Sequence, residues 1–148
     1  MTTPVEIRIV DFNAAQEGIR AVRERVFVAE QGVPLELEWD GLDEQALHVI
    51  ACTTGGEVVG TGRILDDGHI GRMAVLKDWR GKGIGRRLLL QLLQIAQQHQ
   101  QPTVFLSAQL EALGFYEKLG FTANGEVFMD AGIPHRRMQR MLVDKTRN

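Results

Sequence analysis

The chain has 148 residues, 44% hydrophobic and 24% charged, with a formal net charge of -2. This composition suits one soluble globular domain and excludes a disordered, collagenous or coiled-coil chain. The near-neutral charge argues against a general nucleic-acid binder, the short apolar runs exclude a membrane span, and a lone Cys52 excludes an internal disulfide and a multi-cysteine zinc site. With no basic-then-apolar leader, the expected compartment is the cytoplasm.

In chain order, alternation over Glu6–Val10 predicts a short strand. Asn13 is a candidate cap for a helix from about Ala14 to Gln31, with Ile19, Val22, Val26 and Phe27 on one face. Gly32 and Pro34 stop it. Residues 32–46 read as an acidic loop with room for a short helical turn. From Val26 to Gly62 there is no Lys or Arg, and within that stretch stand Glu30, Glu36, Glu38, Asp40, Asp43 and Glu44. Such a segment either attracts a cation or is a solvated face.

Leu47–Thr54 and Glu57–Leu65 read as strands joined by Gly55-Gly56, a hairpin signal. Asp66-Asp67-Gly68 marks a second turn before a strand at His69–Lys77. A helix from Gly83 to about His99 carries apolar residues at 84, 88, 89, 92, 93, 95 and 96, a 3.6-residue stripe. Thr103–Ser107 reads as a buried strand, and Gln109–Leu119 as a helix closed by Gly120. Phe121–Met129 and Arg136–Val143 are two final strands, joined by a loop containing Gly132-Ile133-Pro134. Strands interleaved with helices predict an α/β fold with a mixed sheet covered by helices.

The first chemistry lies at Arg80-Gly81-Lys82-Gly83-Ile84-Gly85-Arg86, between a strand and the long helix. Glycines let backbone N–H groups approach a ligand closely. The first N–H groups of a helix lack internal partners and sit at the positive end of its dipole. With Arg80, Lys82 and Arg86 as charged donors, the expected ligand is a diphosphate. A strand-to-helix turn that needs glycine only for geometry would use the same residues. The Walker pattern is absent, and the glycine spacing differs from the dinucleotide fingerprint.

At this loop the sequence resembles the GCN5-related N-acetyltransferase (GNAT) superfamily, whose acyl-CoA loop reads [Q/R]-x-x-G-x-[G/A]. Arg80, Gly83 and Gly85 match it. A second match, Ala112-Leu113-Gly114-Phe115-Tyr116-Glu117-Lys118-Leu119-Gly120-Phe121, resembles the family's A-x-x-F-Y-x-x-x-G-F run. Val26–Pro34, Glu38–Asp43 and the stretch from Gly125-Glu126 to Pro134-His135 resemble the narrower ElaA- and YjcF-like bacterial group. The resemblance implies a mostly antiparallel sheet of about six or seven strands, with helices on both faces and a splay between the fourth and fifth. It also implies acetyl-CoA as acetyl donor, a small-molecule or peptide amine as acceptor, no metal, and room for a homodimer. Backbone groups of Met73, Ala74 and Val75 would flank the pantetheine arm, with one N–H as an oxyanion donor. Gly81, Lys82, Gly83, Ile84, Gly85 and Arg86 would hold the diphosphate. Gln109 would stand where many members carry an Asn that orients the cofactor.

Acyl transfer to an amine needs a proton removed from nitrogen and one supplied to sulfur. By resemblance Tyr116, the only tyrosine, supplies the second. Glu30, Asp40, Asp43, His48, Glu126 and His135 all have the chemistry of a base, and a water chain would also serve. His135 and Glu126 are carried forward as catalytic candidates, and Glu30, Asp40 and Asp43 as acceptor-binding ones. His48, in an apolar strand, reads as a core histidine, and His69 and His99 as surface residues. Two alternatives stay open. One is a non-catalytic acyl-CoA-binding module. The other is an acyl-homoserine-lactone-synthase-like enzyme, faintly resembled by Arg23, Val26, Phe27, Glu38, Trp39, Asp40 and Asp43.

Overall fold

The computed structural model describes residues 4–142. Strand β1 (Val5–Val10) runs into helix α1 (Phe12–Arg23). The cap is Asp11, whose carboxylate accepts from the Ala14 N–H at 3.3 Å; Asn13 lies inside the helix. The chain does not leave the helical path at Arg23. Glu24–Glu30 widen to π geometry, and the Gln31 N–H donates to Val26 O, five residues back, at 3.2 Å. Such widened turns mark strain or function. Gly32, at φ 75°, lets the chain turn away. The acidic segment then forms one helical turn, α2 (Leu35–Glu38), and a 3₁₀ turn at Asp43–Gln45.

Strands β2 (Leu47–Thr53), β3 (Val58–Ile64) and β4 (Ile70–Val75) complete an antiparallel sheet in the order β1-β2-β3-β4. Helix α3 (Ile84–Gln98) buries Ile84, Leu88, Leu89, Leu92, Leu93, Ile95 and Ala96, and this stripe packs in one cluster with Val49, Val59, Ile70, Val104 and Met138. Burying such side chains contributes about 1.5–3 kcal/mol each before entropy is counted. α3 comes close to β3 because β3 carries glycine beneath it. A Cβ on Gly62 would stand 2.6 Å from Met73 Sδ and 3.1 Å from Leu92 Cδ1.

The second sheet holds β5 (Thr103–Gln109), β6 (Thr122–Asp130) and β7 (Ile133–Met141), antiparallel in the order β5-β7-β6. Gln109 ends β5 instead of opening a helix. A 3₁₀ turn follows, and helix α4 is only Leu113–Glu117. Ile133 and Pro134 belong to β7, so the hairpin tip is Ala131-Gly132, both at positive φ (53° and 77°). A two-residue turn with both residues in that region matches the twist of paired strands. Of the expected last strand, Val143 lies outside the described residues.

The expected splay is present, and it divides the strands into two sheets. Among the described residues, the one bridge between the sheets is the parallel pair His69–Phe105. There the Phe105 N–H donates to Gly68 O at 3.0 Å, and the two rings stack with centroids 4.8 Å apart. Beyond it β4 and β5 diverge without a ladder.

Candidate active site

The divergence of β4 and β5 opens a cleft of about 390 Å³. Its walls include Met73, Ala74 and Val75 of β4, Ser107 and Gln109 of β5, Tyr116 of α4, His135 of β7, and Phe27, Gln31 and Leu37 from the α1–α2 region. The Leu76 N–H donates to Val59 O at 2.9 Å. The alternation of an antiparallel ladder therefore turns main-chain groups of Val75 and Met73 away from β3, toward the opening. A bulge reinforces this. Thr61 pairs with Ala74 and Arg63 with Gly71, so Arg72 and Met73 both face Gly62. Arg72 sits at φ 52°. One extra residue leaves its main chain unpaired in the ladder.

The head of α3 adjoins this cleft: Arg80 lies in the cleft wall, and the Gly85 Cβ position is 4.0 Å from Val75 Cγ2. Gly81 (φ 78°) and Gly83 (φ 80°) are left-handed, and a Cβ at either would meet nothing within 4 Å. Gly83 is the N-cap, and no side chain caps the helix. Its first N–H groups are therefore open to an anion. Gly85 lies under α4, its Cβ position 3.6 Å from Phe115 Cζ. Lys82 and Arg86 are exposed here. Arg80 departs from expectation. Its Nε donates to Val75 O at 2.9 Å and its Nη2 to Glu30 at 2.7 Å. It straps the end of β4 to the π-helical segment, and its charge is already paired.

Tyr116 lines the cleft, and among the described residues its hydroxyl makes no hydrogen bond to protein. Burial pushes its pKa up to about 12, so the phenol stays protonated at neutral pH. His135, 9% exposed, lines the same cleft. Its Nδ1 is 2.7 Å from Ile133 O. A carbonyl only accepts, so Nδ1 carries the proton and Nε2 of the neutral ring is left with a lone pair. Phe128, directly across the hairpin, stacks on the ring with centroids 5.9 Å apart. Gln109 Nε2 donates to Gln31 Oε1 at 2.8 Å and so ties β5 to the α1 extension across the cleft.

The acids separate from this group. Glu126 lies in an exposed β6 bulge, between the pairs Asn124–Arg137 and Phe128–His135, and is not part of the cleft wall. Asp40 and Asp43 are not in the wall either. Arg23 holds Glu38 and Asp43, each at 2.6 Å, and Arg63 reaches Asp43 at 2.8 Å and also pairs with Asp40. Arg72 reaches Glu38 and Asp40, each at 3.2 Å. Three arginines and three acids cancel, and Glu30 is cancelled by Arg80. The expectation that Glu30, Asp40 and Asp43 present free negative charge to an amine does not match this arrangement, because guanidinium groups already occupy the carboxylates. The run that faintly resembles lactone synthases is accounted for by the same cluster. Its largest buried member is Arg23, and Trp39 covers it, with the guanidinium carbon 4.7 Å from the ring centroid.

His48 is a core residue, 2.8 Å from Asp43 O and packed against the Phe12 ring with centroids 5.0 Å apart at 35°. Burial pushes its pKa down, as it does for His69. His69, expected at the surface, lines the base of the cleft. Glu38, Arg72 and Asp130 also line it. Among the described residues no group of three or more His, Cys, Asp or Glu is placed to hold a metal ion, and no helix is long and apolar enough to cross a membrane. Cys52 is buried.

Residues 12–142 match the family described as acetyltransferase (GNAT) domain. The chain is 39% identical over 123 residues to the uncharacterized N-acetyltransferase YjcF of Bacillus subtilis, covering 80% of this chain and 87% of that one. The crystal structure of Escherichia coli ElaA superimposes with a TM-score of 0.82 at 29% identity, covering 93% of this chain and 99% of ElaA. An acyl-CoA N-acyltransferase from Pseudomonas aeruginosa gives a TM-score of 0.79 at 30% identity, covering 94% and 99%.

Proposed function

Because the chain belongs to the acetyltransferase (GNAT) family and is an acyltransferase, we propose that it moves an acetyl group from acetyl-CoA to a primary amine by direct attack in a ternary complex. The observation that carries this reading is the uncapped α3 head opening beside the same cleft that Tyr116 and His135 line. When bound, acetyl-CoA supplies a thioester whose acetyl carbon accepts the amine and whose C–S bond then breaks.

The rest falls to this chain. The N–H groups at the head of α3 would hold the diphosphate, joined by Lys82 and Arg86. Main-chain groups of Met73 and Val75, turned away from β3, would flank the extended arm as a further strand does. One N–H from the bulge at Arg72–Met73 would donate to the thioester oxygen as negative charge develops there. A donor of this kind lowers the barrier by about 2.7–4 kcal/mol. His135 Nε2 would take the proton that the acceptor ammonium must lose. Tyr116 would donate to the departing sulfur. A phenol near 12 gives its proton uphill to a thiolate whose acid has a pKa of about 8.5. Its contribution is therefore a hydrogen bond that stabilises charge on sulfur, and the released thiolate takes its proton afterwards from solvent.

Calorimetry with acetyl-CoA, followed by an amine screen that reads free CoA thiol, tests the reading. Binding with thiol release on a primary amine is the expected result. Absence of binding overturns the reading, and binding without release on any amine supports the acyl-CoA-binding module in its place.

A further inference from the structure

With Glu30, Glu38, Asp40 and Asp43 all paired to arginine, the acceptor amine needs another partner. Asp130 is an acid in the cleft wall for which the described residues provide no ion pair. It is the last residue of β6 and pairs with Ile133 across the two-residue tip, while Phe128 pairs with His135. Strand residues two apart share a face, so Asp130, Phe128, Ile133 and His135 lie on one side of the hairpin. Asp130 is thus the diagonal neighbour of His135, a separation of about 7–8 Å between backbones in such ladders. An ammonium group fits between a carboxylate and an imidazole Nε2 so placed. The positive φ of Ala131 and Gly132 fixes the tip that sets this distance. From the α1–α2 region the same wall takes the apolar side chains Phe27, Val33 and Leu37, together with Glu38, whose carboxylate is already held by Arg23 and Arg72.

We propose that Asp130 is the ammonium-binding residue of the acceptor site, and that the acceptor is a primary amine with an apolar alkyl or aryl body. Asp130 orients the cation so that its N–H points at His135 Nε2, and the apolar body lies on Phe27, Val33 and Leu37. This rests on the acetyl-transfer reading for its chemistry but not for its binding claim. An α-carboxylate beside the amine would be repelled by Asp130, which disfavours free amino acids.

The experiment compares wild type with Asp130→Asn and Asp130→Glu, using 2-phenylethylamine, ethanolamine and phenylalanine as acceptors and CoA-saturated protein for amine titration. Asp130 is exposed, so the variants should fold. The expected result is a KM for 2-phenylethylamine roughly tenfold higher in Asp130→Asn, as befits a lost charge-assisted contact, with recovery in Asp130→Glu and unchanged acetyl-CoA affinity. Ethanolamine and phenylalanine should need higher concentrations than 2-phenylethylamine. A KM within twofold of wild type in Asp130→Asn, or equal use of ethanolamine, overturns the proposal while leaving acetyl transfer standing. If wild type acetylates no amine, the acetyl-transfer reading fails, and the titration still decides on Asp130: amine binding lost in Asp130→Asn supports it, and equal or absent binding overturns it.

Discussion

Gly68 is where one methyl group should do the most damage to the cleft. It sits at φ 92°, a conformation that costs an L-residue about 1–2 kcal/mol. A Cβ there would stand 2.6 Å from Thr103 O, a main-chain atom that cannot swing aside as a side chain would. Relieving that overlap moves β5 away from the turn, at about 1–3 kcal/mol for an overpacked site. The hydrogen bond from Phe105 N–H to Gly68 O at 3.0 Å, which joins the two sheets, lies in the path of that movement. Gly68→Ala should therefore lose about 2–5 kcal/mol, which lowers Tm by roughly 4–20 °C for a chain of this size. Denaturant unfolding measures it, with Gly55→Ala as control. Gly55 has an ordinary φ, and its Cβ would meet only Thr53 Oγ1 at 3.8 Å. The control should stay within about 0.5 kcal/mol. A Gly68→Ala protein as stable as the control would refute the idea that this turn pins the base of the splay.

Three further outcomes are expected. Tyr116→Phe should lower kcat roughly a hundredfold, as for loss of one donor to developing charge, while calorimetry shows little change in acetyl-CoA affinity; unchanged kcat would remove the phenol from the reaction. Lys82→Ala and Arg86→Ala should each weaken acetyl-CoA binding and flatten its salt dependence, read by titration at two ionic strengths, and identical affinities and slopes would place the diphosphate elsewhere. Asp43→Asn should destabilise by about 3–5 kcal/mol, because Arg23 and Arg63 are left buried with less compensation. Burial pushes the Asp40 and Asp43 carboxyls up, but the guanidinium groups of Arg63 and Arg23 outweigh it and hold both below the ordinary value. Their contribution is therefore complete above an ordinary aspartate pKa of about 3.9 and is lost as pH falls below it. Acid unfolding followed by circular dichroism should show wild type losing more stability than Asp43→Asn through that range.

What could be read from the sequence follows from range. The α3 stripe and the glycines at its head are local patterns, set by a 3.6-residue period and by the need for positive φ, and both stand where the sequence puts them. Tyr116 is legible from the motif resemblance and His135 from its chemistry as a base, and the fold brings both to one cleft. The acids misled for a definite reason. A segment without Lys or Arg looks unneutralised, yet its partners Arg23, Arg63 and Arg72 lie 15 to 34 residues away along the chain. No local pattern carries such a pairing. The π-helical widening and the left-handed Arg72 are equally silent, since neither residue composition nor period distinguishes them from ordinary helix and strand. Asp130 carried a faint signal, as the acid before a two-residue turn two positions short of a histidine strand.

The neutral cluster also bears on how charge is distributed around the cleft. Buried ion pairs are weak evidence for stability, because desolvation offsets most of their attraction. What this cluster achieves is geometric: Arg23 from α1, Arg63 from β3 and Arg72 from β4 all converge on the acids of the α2 segment. They fix the wall that carries Leu37 without adding net charge to it. Charged side chains without an ion pair among the described residues then stand on both flanks of the site, Lys82 and Arg86 at the head of α3 and Asp130 at the hairpin tip. On the proposed reading, an anionic donor is held beside Lys82 and Arg86, a cationic acceptor beside Asp130, and the two meet at the Arg72–Met73 bulge. Neutralising Glu38 would unbalance this arrangement, because it leaves Arg23 and Arg72 without a shared carboxylate at the cleft wall. That local positive charge would repel the ammonium, so a Glu38 variant is expected to impair acceptor use before it impairs donor binding.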